Sequence, residues 1–232
     1  MANFEAQVNG LTNLGIDGTS TDPGETELNQ FLKDGVIDVT NRCISLKPQS
    51  AEDFMIESTE SSSQGGLSSD GGDILHVMRE SGTNDDWREC RKISVGFKDR
   101  VTDKTSLHYA SAYNPAYLVN QYGAVLVFPA PSGSSGQYRI YYVNKTPVDN
   151  VSGAALTYAA STIRYFPDDK VYLVVIYAAI KSLEARMADF AIDEEDIELV
   201  QAITSNLTSL KQQYDGAFAI MAPRQQQQGA RA

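Results

Sequence analysis

A chain of 232 residues with 42% hydrophobic content is long enough to bury a core as one or two domains. Its 30 acidic against 19 basic residues give a formal charge of -11, which excludes tight binding to DNA over a broad surface and leaves only local or slippery contact. The start MANFEAQVNG is too polar for a signal peptide, so a cytosolic compartment is expected, and Cys43 and Cys90 share no pairing motif and read as reduced thiols.

Residues 1–21, rich in Asn, Gly and Thr, read as an extended N-terminal arm. Asp22-Pro23-Gly24-Glu25 is a helix start, with Asp22 as N-cap, Pro23 at the first position and Glu25 placed to reach back. Leu28, Leu32, Val36, Val39 and Cys43 then recur at three- and four-residue intervals, which predicts a helix over about residues 23–43 with one face on a core.

The period changes to two after residue 49. Candidate strands are Asp53 to Thr59, Ile74 to Glu80, Ala124 to Phe128 and Tyr138 to Val143. Ser61 to Gly72 separates the first pair and offers few groups to fix it, so high mobility is expected. Pro129, Pro131, Gly133 and Gly136 mark a hairpin connection between the last two strands. Tyr109, Tyr113, Tyr117 and Tyr122 lie in between, where Pro115 breaks any continuous helix.

Tyr165 to Phe190 is the hub. Pro167 and Asp168 suit a first helical turn, and every residue from Val171 to Ile180 is apolar or aromatic, which on a helix means burial on nearly all sides. Ten such residues are too few to cross a bilayer, and Lys181, Glu184 and Arg186 follow at once, so no membrane partner is expected. Val175, Ala179 and Leu183 are candidate packing positions. The run Asp193 to Asp196 suits the start of another helix, whose Val200, Ile203, Leu207, Leu210 and Tyr214 form a seam against a neighbouring helix. Residues 216–232 form a flexible C-terminal arm, and from Pro223 it has no apolar group to drive self-burial.

The fold class is therefore α+β: a helical bundle of residues 22–48 and 154–215, built from an N-terminal helix and two C-terminal helices, with an antiparallel β module inserted at residues 49–153. Chemistry is sparse. The chain has no nucleophile elbow, phosphate loop, His-Glu-x-x-His pair or Cys-x-x-Cys, and His76 and His108 are too few and too far apart for a zinc site. No catalytic residue, cofactor or metal is expected. Arg88, Arg91, Lys92, Lys98, Arg100 and Lys104 gather near Trp87 and Phe97, but Glu89, Asp99 and Asp103 dilute them into a mixed surface or a protein interface.

Three stretches in fixed order resemble the head-to-tail connector adaptors of tailed bacteriophages. They are TELNQFLKDGVIDVTNRC, then YNPAYLVNQYGAVLVFPAPSGSSGQYRIYYVNKTP, then FPDDKVYLVVIYAAIKSLEARM. The resemblance spans about residues 22–215 and implies a non-enzymatic virion protein that forms a dodecameric ring beneath the portal. It would extend the DNA channel, touch packaged DNA transiently and dock a tail or nozzle protein. It further implies that Phe128-Pro129-Ala130-Pro131 caps a β-hairpin, and that a C-terminal segment enters the portal: here Pro223, Arg224, Gln225, Gln226, Gln227, Gln228 and Arg231. The serine-rich stretch Ser61 to Gly72 lies outside the family pattern. A neck or tail attachment protein that binds through the tyrosines of its β module is the other reading.

Overall fold

The computed structural model describes residues 2–17, 19, 23–83, 85–190 and 197–222, with 189, 190 and 197 described by backbone alone. Asp22, Asp193 to Asp196 and Pro223 to Arg231 lie outside the described residues. The fold is α+β, in two compact units: residues 1–53 with 146–232, and residues 54–145.

The helical unit begins where an extended arm is expected, and residues 4–12 of that segment are in fact a helix. In α1 (Phe4–Thr12), Asn3 caps the first turn by accepting the Ala6 N–H at 3.0 Å, while Phe4, Val8 and Thr12 are buried four residues apart. Both ends of the segment are tied down. The Phe4 N–H donates to Ala160 O at 2.8 Å, and the Asn9 side chain both donates to and accepts from the Ile16 backbone at 2.8 Å.

The next helix, α2 (Glu25–Leu46), has Gly24 at its N-cap. The carboxylate that reaches back is that of Glu27, not Glu25: it accepts the Gly24 N–H at 2.9 Å. Leu28, Leu32, Val36, Val39 and Cys43 are all buried on one face.

Among the described residues the β unit holds seven short strands, β1 (Met55–Glu57), β2 (Ile74–Glu80), β3 (Trp87–Glu89), β4 (Arg91–Lys92), β5 (Ala116–Val119), β6 (Val125–Phe128) and β7 (Tyr138–Val143), with a small helix α3 (Lys98–Thr102) between β4 and β5. One sheet runs β1-β7-β2-β3 and is antiparallel throughout; the other runs β4-β5-β6. The β4 and β5 strands are parallel, so the module is not wholly antiparallel.

Nor do β6 and β7 form a hairpin across Pro129 to Gly136. Each has another partner: β6 pairs with β5, whereas β7 lies between β1 and β2. Phe128–Pro129 is a cis peptide bond.

The Ser61 to Gly72 stretch, expected to be mobile, is stitched to both sheets. Ser61 bridges Tyr138, Ser68 bridges Ala124, and the Gln64 side chain donates to Val127 O at 2.8 Å while accepting the Val127 N–H at 3.2 Å. A side-chain amide thus imitates a neighbouring strand. At the end of the stretch a Cβ on Gly72 would stand 2.1 Å from Val143 O, so only glycine lets the chain pass.

The chain returns to the helical unit through residues 146–153, where Val148 bridges Ala155 and Asp149 bridges Ile163. A 3-10 turn at Asp168–Lys170, capped by Pro167, leads into α4 (Val171–Phe190), and α5 (Ile197–Met221) follows. Helix α4 packs against α1, α2 and α5. Leu173, Val174, Val175, Ile176, Ala178, Ala179, Ile180 and Leu183 are buried, each large side chain contributing about 1.5–3 kcal/mol. Tyr172 stays 48% exposed. A Cβ on Gly35 would lie 3.0 Å from Tyr177 and 3.3 Å from Val174, which is why α2 can approach α4 so closely there.

Candidate interaction surfaces

On α5, Ile203, Leu207, Leu210, Tyr214 and Phe218 are buried, with Val200 half-buried above them. This seam ends in a polar clasp. The Tyr214 hydroxyl donates to Asp38 at 2.6 Å, Arg42 pairs with Asp38 at 2.9 Å and Asp215 at 3.3 Å, and the same guanidinium lies 5.0 Å from the Tyr214 ring centroid. Burial first, and then the Asp38 carboxylate, push the Tyr214 hydroxyl pKa well above the ordinary tyrosine value. A second clasp places Glu184 between Lys181 at 2.8 Å and Lys211 at 2.9 Å, joining α4 to α5. Met221, near the end of α5, lines a cavity of about 230 Å³ with Cys43, Ser50, Asp53, Asp169 and Lys170.

In the β unit two buried ions escape a pattern search, because charged residues in an alternating strand read as its wet face. Arg79 and Glu80 of β2 are only 5% and 3% exposed. Arg79 donates to Pro129 O at 2.9 Å, to Ala130 O at 3.3 Å and to the Glu80 carbonyl. Glu80 accepts from the Asp85 N–H at 3.2 Å and the Gln137 N–H at 3.0 Å. Together they fasten the segments before β3 and between β6 and β7, so their role is positional. Cys90 is buried beside them, and loss of solvation pushes its thiol up to about 12, which makes it inert.

The first sheet also carries Arg139, which stacks 4.2 Å over Trp87 and 5.6 Å from Tyr141 and pairs with Glu57 at 2.7 Å. His76 Nδ1 lies 2.8 Å from Glu89 Oε1 on the same unit, and the His108 ring meets Phe97 edge-on at 4.8 Å. Among the described residues no three His, Cys, Asp or Glu side chains are grouped to hold a metal, and no helix is long and apolar enough to cross a membrane. The basic residues singled out above do not all stay free: Arg88 pairs with Asp86 at 2.9 Å, and Arg91 donates to the His108 carbonyl at 2.6 Å. Lys92, Lys98, Arg100 and Lys104 remain exposed.

No protein-family model matches the chain, and no curated protein matches it.

Proposed function

We propose that this chain is a virion structural protein, a head-to-tail adaptor whose copies form a ring, by resemblance a dodecamer, between the portal protein and a tail or nozzle protein. The order of elements is the observation that carries the reading: the short α1 and the long α2, a β unit inserted whole, then two long helices, after which the sequence runs on through Pro223 to Arg231. In this reading the helices act as one bundle, and the interfaces between copies supply the function without catalysis.

Charge supports it. The sequence of the helical unit carries twenty carboxylates against ten cations, and that of the β unit ten against nine, so nearly all of the net charge belongs to the helical unit. Such a surface along a channel repels phosphate and lets packaged DNA slide. The protein would reside in the virion neck after assembly in the host cytoplasm, monomeric or weakly associated until the portal promotes the ring.

Cryo-electron microscopy of particles containing this chain tests the proposal. A ring of its density between portal and tail is expected, and density on the capsid surface or at a fibre tip would remove it. That second location would favour a tail or neck attachment protein, a reading the Trp87–Arg139–Tyr141 stack on an open sheet supports.

A further inference from the structure

We infer that the tip of the β unit, residues 92–108, docks on the acidic helical unit of a second copy of this chain. Leu107 is 103% exposed and Val95 65% exposed, side chains with nothing to cover them in a single copy. The same segment carries exposed Lys92, Lys98, Arg100 and Lys104 against exposed Asp99 and Asp103, so its balance is positive. Apolar groups within a polar rim are the usual anatomy of a protein interface.

The tip is built, not loose. Val101 is buried, the Ala110 N–H donates to Val101 O at 2.9 Å, and the Asp103 carboxylate accepts the Thr105 N–H at 2.9 Å and its hydroxyl at 2.7 Å. Arg100 lies over the Phe97 ring at 5.6 Å, and Arg91 holds the His108 carbonyl. Leu107 is therefore presented on a turn already in its docking shape, which lowers the ordering cost of association.

The occupant follows from charge and shape. A tip of net positive charge on a chain of net charge -11 finds its complement on another copy's helical unit, whose sequence carries twenty carboxylates against ten cations. Those helices also offer a hollow of about 340 Å³ between the end of α1 and α5, lined by Leu14, Leu183, Leu199, Ile203 and Arg186, with room for a leucine side chain. Glu198, exposed in the first turn of α5, is the chain neighbour of Leu199. A contact between two different patches is heterologous, so successive copies either close into a ring or grow as a filament.

The inference rests on the proposed function only in that copies must meet, and its test needs no virion. Sedimentation velocity of the full chain across a concentration series would be run at about 10 mM and 150 mM salt, where the screening length is about 30 Å and 8 Å. Weak association is expected at low salt and at the top of the concentration series, in keeping with a ring that completes only on the portal, and it should weaken further at high salt. Lys98→Glu with Lys104→Glu, and separately Leu107→Ser, should each raise the dissociation constant about tenfold, with circular dichroism unchanged because all three side chains are exposed. The charge-reversed chain keeps its helical unit, so mixing it with wild type should cap growing associates and shorten them.

Undiminished association of both variants would overturn the tip as the interface while leaving the ring intact. A wild type that stays monomeric throughout would overturn the self-contact altogether. Loss of binding to a fluorescein-labelled DNA duplex, with self-association unchanged, would reassign the tip to nucleic acid.

Discussion

Arg79 in β2 donates from Nε to the carbonyl of Pro129 at 2.9 Å, joining residues fifty positions apart and fixing where the chain leaves β6. Burial lowers the pKa of this guanidinium, yet it stays charged at neutral pH and is matched by carbonyl oxygens.

Arg79→Met should therefore cost about 2–4 kcal/mol, because it strands the carbonyls of Pro129 and Ala130 without a donor. Urea unfolding would show a lower midpoint at unchanged slope. An unchanged midpoint would mean that water satisfies those carbonyls equally well.

Tyr214→Phe removes the hydrogen bond between α5 and α2 and should cost about 1–2 kcal/mol, toward the lower end because the Asp38 side chain is 32% exposed. The pH dependence has a definite sign. The folded-state pKa is raised, so the contribution is complete below the ordinary tyrosine value near 10 and is lost as pH climbs beyond it. Melting temperatures measured between pH 9 and 12 should fall more steeply for wild type than for the variant; parallel curves would refute the linkage.

Val175→Asp places an unpaired carboxylate in α4 at a position only 4% exposed. Several kcal/mol are lost, comparable to the whole stability of a domain. The variant should be insoluble or unfolded by circular dichroism, and recovery of a protein that melts like wild type would show that α4 is not central.

Removing residues 223–232 tests the proposed arm, whose four glutamines and two arginines supply donors for a carboxylate-bearing partner but no apolar drive to fold. The melting temperature should not change, while attachment to portal-bearing heads should be abolished. Wild-type attachment by the truncated chain would strike the arm from the mechanism.

How much of this was legible depends on which forces act locally. Ile74–Glu80 and Tyr138–Val143 are readable as strands because each is a short apolar and aromatic run bounded by turn residues, although the alternation breaks near each C-terminal end, where Arg79 and Glu80 are both buried and Tyr141 and Tyr142 are both half-buried. The α1 helix is hidden by its Asn and Gly content, although Asn3 as cap and Phe4, Val8 and Thr12 at four-residue spacing were there to find. β5 is obscured by Pro115 just before it, and β3 and β4 are too short for any period to register. The partners of β6 and β7 were not readable at all, because strand pairing is decided by distant segments and the proline-rich connection fits a hairpin equally well. Gln64 shows the same limit at the candidate surfaces: its composition reads as loop, and only the position of Val127 turns it into an anchor.

Insertion of the β unit between α2 and α4 has a consequence in time. On a ribosome, α2 emerges complete, yet its packing partner α4 begins only after the whole of residues 54–145 has been made. At about 5–20 residues per second, roughly 90 residues take about 5–20 seconds. Throughout that interval Leu28, Leu32, Val36 and Val39 face solvent or a chaperone, whereas at its end, once β7 has been made, every strand of the inserted unit has its partner within the nascent chain. Vectorial synthesis therefore orders the two units: the one encoded in the middle matures first, and the one that holds both ends closes last.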